Sequence, residues 1–355
     1  LYAITEMKRK NTEFSILKAF NGDCILIKTY TSNNDEFTIL LDGGTASTFE
    51  YSLKKELKDI TKIDLLILTH IDSDHIGGLI KLFKNSIIDK IEIKEIWVNH
   101  PELVDVNSGE LISFKQGNNL KKLILEKKPK VQIQNISNEN KDINLSGIKF
   151  EILSPTKEIL NSLYNKWEQL KPNNQHQKEN ISLKHDQVSY DIDLKKMSLT
   201  AFNPNNTIET DIVNASSISF ILTCPDIVIL FLADSRSEII EKELKKLDYT
   251  NTKKLDCDYV KISHHGSKNN TSNSLLELID CSSFIISTNG GSINHKHPSR
   301  ETIARIIYHP NRSFDNKISI YTNYDITDIK NKIGDFITEI DLEHGNWNIE
   351  NKNKF

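Results

Sequence analysis

The run Thr69-His-Ile-Asp-Ser-Asp-His-Ile-Gly-Gly78 places His70, Asp72, Asp74 and His75 within six residues. Imidazoles and carboxylates at that density suit a divalent ion, and burying them is costly unless they are paired or metallated. In an extended segment His70 and Asp72 point the same way, and a turn lets Asp74 and His75 reach a second point. Gly77 and Gly78 allow close backbone approach or positive φ. A solvated polar loop is the plain alternative, but it leaves the apolar run DLLIL just before it unexplained. Asp234 ends the apolar run IVILFLAD, where it reads either as a ligand or as the N-cap of the next segment, SRSEIIEKEL. His264 and His265 end VKISHHGS, and His295 and His297 lie in GGSINHKHPS. No cysteine accompanies any of these groups. Nitrogen and oxygen donors alone suit Zn, Mn or Fe.

Such groups must be delivered by strands that end together. FSILKAF, CILIKTY and FTILLD read as a β-meander around the turn NGD. DLLILTH is nearly all apolar, the pattern of a strand covered on both faces. HIGGLIKLF then predicts a helix and IKEIWVNH a strand, an α/β order. Further helices are expected at 54–60, 236–247 and 301–308, with strands at IKFEILS, SSISFILT, IVILFL, ISIYTN and, last, FITEIDL. The middle of the chain is weaker in pattern, and KPNNQHQKEN, near 173–180, reads as a polar excursion. One domain built on two facing sheets is expected, with residues 105–195 inserted or elaborated at its mouth. A split near residue 150 is the competing organisation.

With 355 residues the chain is long enough for a large core. Its 45 Lys+Arg against 49 Asp+Glu give a formal charge of -4, which excludes a strongly basic coat for nucleic acid but not a small basic groove. The longest apolar stretch, Ile227 to Ala233, is far short of the roughly 20 residues of a bilayer helix. The opening LYAITEMKRKNTEF has no apolar centre and does not read as a secretory leader, though a removed leader stays open. Cys24, Cys224, Cys257 and Cys281 are widely spaced and read as reduced and mostly buried, which favours the cytoplasm.

HxDxDHxGG resembles the signature of the metallo-β-lactamase superfamily, whose commoner form is HxHxDH. NGDCILIKT and ILLDGG are similar to that family's opening strands. LADS, HHGS and the Asn294–Pro298 element resemble the branch found in the soluble domain of DNA-uptake competence channel proteins. The resemblance covers the chain apart from about 105–195. It implies an α+β fold, a four-layer αββα sandwich of two facing mixed β-sheets flanked by helices. It also implies two divalent ions, Zn or Mn. His70 and Asp72 match ligands of the first, Asp74 and His75 ligands of the second, and Asp234 the bridging carboxylate; either His264 or His265 matches the last ligand. The first site's usual third histidine is missing, because TDIVNASSISF contains none; Asn214 and Ser216 are then candidates to contact substrate or water. Asp42 is implied to support the ligand loop from behind. Asn294 and His297 join Asp74 as candidate catalytic residues.

Two ions about 3.5–4 Å apart acidify a water held between them and stabilise the departing oxygen. His297 is then placed to donate a proton to that oxygen. The resemblance points to a phosphodiester in DNA, RNA or a nucleotide. Lys261, Lys268 and Lys296 beside the ligands, and the basic stretch from Lys115 to Lys130, offer backbone contacts. Against the nucleic acid stands the lack of stacking aromatics, so a lactone, another small ester or a nucleotide competes. A catalytically inactive metal-binding interaction module is the reading from another class. His100 is a candidate for touching substrate; His176, His185, His309 and His344 read as surface residues.

Overall fold

The computed structural model describes residues 11–100, 112–169, 192–291 and 295–355. The first sheet runs β1 (Glu13–Ile16), β2 (Ile25–Tyr30), β3 (Glu36–Leu41), β4 (Lys62–Leu68), β5 (Glu92–Val98) and β6 (Gln132–Gln134), each beside the next. Its first three strands are antiparallel, as tight turns allow, and the rest are parallel. The second sheet contains β7 (Asp142–Leu145), β8 (Ile148–Ser154), β9 (Ser219–Thr223) and β10 (Val228–Phe231). A short pair, β11 (Leu255–Asp256) with β13 (Ile279–Asp280), stands apart. Beyond β10 the second sheet continues through β12 (Tyr259–Lys261), β14 (Ser283–Ile286), β15 (Ile318–Thr322) and β16 (Trp347–Asn351), all parallel.

Alternation along the strands builds the layers. In β4, Leu65 and Ile67 face the second sheet, where they join Phe150, Phe220 and Phe231 in a shared inner core. Leu66 and Leu68 face the other way, against Leu79, Leu82 and Phe83 of the helix Ser73–Lys84. In β10, Ile229 and Phe231 face inward, while Leu230 packs outward with Ile240 and Leu244 of the helix Ser237–Lys246. A strand so covered has no polar face, which is why DLLIL reads as continuous apolar sequence. The molecule is therefore the α+β sandwich expected, two facing mixed sheets with helices outside both.

Several local expectations change. The helix foreseen at 54–60 begins earlier, at Ala46, and runs with a wide π turn through Phe49–Leu53 to Glu56. FITEIDL is not a strand. Glu339–Glu343 is helical because Thr338 and Asp341 form a reciprocal capping box, a signal that outweighs the alternation of apolar residues there. The last strand is instead Trp347–Asn351. All four cysteines are free. His309 is buried, with Nδ1 against the Pro310 carbonyl, and is not a surface residue; burial pushes its pKa down to about 4. His344 is exposed. His176, His185 and KPNNQHQKEN lie outside the described residues. No helix among the described residues is long and apolar enough to cross a membrane.

Candidate metal centre

β4 ends at Leu68, and the chain turns through Thr69–Asp72 into the helix Ser73–Lys84. Asp72 is the N-cap residue; its carbonyl accepts from the N–H groups of His75 and Ile76, but its side chain makes no cap bond. Its Oδ2 lies 3.7 Å from His70 Nε2 instead. Asp74 sits in the helix's first turn, where the helix dipole favours a carboxylate. Gly77 and Gly78 keep ordinary φ and serve close approach: a Cβ on Gly78 would stand 1.9 Å from the Gly43 carbonyl oxygen. That contact seats the loop after β3, and with it Asp42, behind the ligand run.

Four imidazoles converge on one oxygen. Asp234 Oδ2, just beyond β10, lies 3.5 Å from His75 Nε2, 3.5 Å from His265 Nε2, 3.7 Å from His264 Nε2 and 3.9 Å from His70 Nε2. His265 Nε2 is also 3.7 Å from Asp74 Oδ2. Two groups of three, His70–His75–Asp234 and Asp74–His75–His265, each hold their ligand atoms within 4.8 Å of one another. Asp234 is thus not a helix cap; that place falls to Arg236.

Each ring is aimed through its other nitrogen. His75 Nδ1 donates to Asp42 Oδ2 at 2.8 Å. The Thr69 hydroxyl also donates to Asp42 Oδ2 at 2.8 Å, so it accepts from His70 Nδ1 at 3.0 Å. His265 Nδ1 donates to the Ser287 carbonyl at 2.9 Å, and His264 Nδ1 faces Asn270 Oδ1 at 3.2 Å. Asn270 spends its amide hydrogens on the Asp234 and Ser235 carbonyls, which fixes which end of its side chain meets the ring. Every Nε2 therefore presents a lone pair toward Asp234 when its ring is neutral, as metal-ligating histidines require.

The electrostatics follow from crowding. Burial, then the neighbouring His75, pushes the His70 pKa down to about 4. Burial also lowers His265, against the pull of Asp234 and Asp23. Burial would lower His75 too, but Asp234 and Asp42 outweigh it and hold that ring well above its ordinary range. Asp234 is opposed by burial yet held well below the usual carboxylate range by His265, His75 and His264. The Nε2 atoms of His70, His75 and His265 and Asp234 Oδ1 are buried with no hydrogen-bond partner. Orphaned donors and acceptors at this density, all nitrogen and oxygen, fit a divalent cation.

Other expected residues fall unevenly. His297 is near the centre, its ring 5.6 Å from that of His264, with Nδ1 buried and unpartnered. Burial and the adjacent histidines hold its pKa well below the ordinary value. Asn294 lies outside the described residues. Asn214 donates to Asp211, and Ser216 to the Val213 carbonyl. Lys268 is held through its backbone, to Ser299 and Arg305. Lys261 is corrected outright: it is 1% exposed and ion-paired with Asp23, so it is not a surface contact for nucleic acid. His100 is buried with its ring 5.0 Å from Trp167. Sequence reasoning missed Asn21, whose amide donates to Asp74 Oδ2 at 2.9 Å, and Asn270 and Asp23; the signal available was only that the turn NGD precedes a buried strand.

Residues 17–155 match the sequence profile described as Metallo-beta-lactamase superfamily. That is under half of the chain; it includes His70 to His75 and stops before Asp234. The fold is metallo-beta-lactamase-like. Solved structures of similar outline include the metallo-beta-lactamase fold protein YhfI from Bacillus subtilis, at 10% identity and TM-score 0.39, covering 98% of this chain and 100% of that one. Zinc-bound PqqB from Methylobacterium extorquens is 11% identical at TM-score 0.44, over 97% and 99%. A diphosphatase from the PhnP family is 13% identical at TM-score 0.39, over 81% and 89%. No curated protein matches the sequence. A cluster of His and Asp at the strand ends of such a sandwich supports metal-dependent hydrolysis in general.

Proposed function

We propose that the chain is a two-metal phosphodiesterase or nuclease. The observation that carries the metal centre is the meeting of four histidine Nε2 atoms on Asp234 Oδ2, from the strand ends of both sheets. On this reading His70, Asp72 and His264 would hold one divalent ion, Zn or Mn, and Asp74, His75 and His265 the other, and Asp234, which all four rings approach, would serve both. His264 on this reading supplies the third histidine that the region before β9 lacks. The ions, when bound, supply the acidified water and the Lewis acidity for attack on phosphorus. Asp42, Thr69, Ser287 and Asn270 keep the rings aimed. His297, a neutral imidazole with its Nδ1 buried and unpartnered, would take up a proton from solvent once substrate charge is beside it and donate that proton to the leaving oxygen.

The phosphodiester rests on the resemblance of HHGS and the Asn294–Pro298 element to the DNA-uptake branch. The burial of Lys261 favours a second reading, a nucleotide or small ester, since it removes one of three lysines from the proposed polymer track. A panel of single-stranded and duplex DNA, RNA, nucleotides, bis-p-nitrophenyl phosphate, a lactone and a β-lactam, run with Mn and Zn, separates them. Polymer cleavage that weakens with salt supports the nuclease. Turnover of small substrates alone overturns it, and no turnover with both ions bound leaves a metal-binding interaction module.

A further inference from the structure

Lys261 closes β12, and its whole side chain is buried beneath the centre. Its partner Asp23 comes from the β1–β2 connection, more than two hundred residues away in sequence, and is equally buried. Asp23 uses one oxygen for the ammonium. The other, Oδ1, has no hydrogen-bond partner and lies 3.6 Å from His265 Nδ1. Asp23 also completes two further ligand groups, one with Asp234 and His265 and one with Asp42 and His75. A carboxylate so placed is itself a candidate ligand for a divalent ion, beside two rings already committed to the centre. Three buried carboxylates, Asp23, Asp42 and Asp234, crowd those two rings, and an uncompensated buried charge is strongly unfavourable.

We propose that the Lys261 ammonium is the resident cation of this centre and a positioning residue for it. It occupies Asp23 so that Asp23 does not ligate, which leaves the divalent ions to the ligands gathered around Asp234. This rests on the metal-centre reading above. The pair is more than a structural tie, because removing either member alone changes the charge facing the ions, in opposite directions.

The test measures Mn and Zn stoichiometry and affinity by calorimetry and elemental analysis, on wild type, Asp23→Asn, Lys261→Met, the double variant and Lys261→Arg, with circular dichroism to confirm the fold. Asp23→Asn leaves an unpaired ammonium and should bind ions about tenfold more weakly. Lys261→Met frees the carboxylate and should bind at least as tightly as wild type or take up an extra ion. The double variant and Lys261→Arg should both lie within about threefold of wild type. Parallel weakening in both single variants, with the double no better than the worse of them, overturns the proposal. If the single variants do not fold, a folded double variant that binds about tenfold more weakly than wild type overturns it equally. A wild-type protein that binds no ion at all defeats the metal-centre reading itself, a result distinct from either pattern among the variants.

Discussion

The two turns that carry the histidines solve the same problem in opposite ways. His70 to His75 sit where a buried strand runs into a regular helix, with ordinary right-handed or extended backbone from the cap onward. His264, His265 and Gly266 are three consecutive left-handed residues, at φ 46°, 56° and 85°. Only glycine adopts that region without penalty, and each non-glycine there costs on the order of 1–3 kcal/mol. The strained turn achieves what a strand cannot. Neighbouring side chains on a strand point to opposite faces, yet here two adjacent rings reach the same Asp234 oxygen. The contrast teaches that the helix start provides ligands spaced along the chain, whereas the left-handed turn provides ligands side by side.

Asp234 serves both turns, so Asp234→Ala should give the largest effect, with bound metal and turnover lost together in a protein that still folds. Elemental analysis beside an activity assay checks this, and retention of one tight ion would show that the two turns work independently.

Acid tests the histidines next, with the metal-free protein. His70 in the centre and His309 outside it are both buried with pKa values of about 4 against 6.5 for a free ring. The unfolded chain therefore binds the extra protons. Stability from each is present above pH 6.5 and is lost as pH falls toward 4, by about 3 kcal/mol apiece. His75, held high, works the other way: its contribution is full below pH 6.5 and is lost as pH rises through its folded pKa. Urea unfolding at several pH values should show the loss on the acid side, and His309→Asn should remove about half of the part due to these two rings.

A smaller effect separates the turns directly. Asn270→Ala should weaken the ion on the His264 side by roughly 10–100-fold, the usual worth of a group that orients a ligand, while sparing the Asp74–His75–His265 side. Two-site titration reads this, and equal weakening of both ions would mean that Asn270 merely braces the fold. Smallest of all, His264→Gly should stabilise the metal-free protein by about 1 kcal/mol, seen as a rise in Tm, because glycine relieves the left-handed φ. A fall in Tm would show the turn to be unstrained.

The same contrast explains what could be read from the sequence. The first turn was open to inspection because its ligands are packed into six residues and its flanks carry the periods of a buried strand and an amphipathic helix. The second was ambiguous: the family resemblance implied that one of His264 and His265 is a ligand without choosing between them, and positive φ at two histidines has no signature in residue type. Lys261 misled because lysine beside ligands reads as a surface charge, and its partner lies at the other end of the chain. His309 misled in the same way, since the residues near it include Lys254 and Asp280, far from it in sequence. FITEIDL shows the reverse case, where a local cap signal was present in TEID and the alternation of apolar residues hid it.

Because its ligands come from both sheets, the centre lies on the seam between two halves that otherwise have separate outer cores. Around it run further cross-seam bonds: Ile218 N–H to the Thr69 carbonyl, Ser287 Oγ to the Gly22 carbonyl, and Asn323 to the Leu17 carbonyl. The site is therefore a clasp as well as a reaction centre. Chelation or acid should act first by loosening this edge, so amide exchange ought to quicken at the ends of β4 and β12 together while the phenylalanine-rich interior stays protected. Ion loading would then set how far the sandwich breathes as well as whether it turns over substrate.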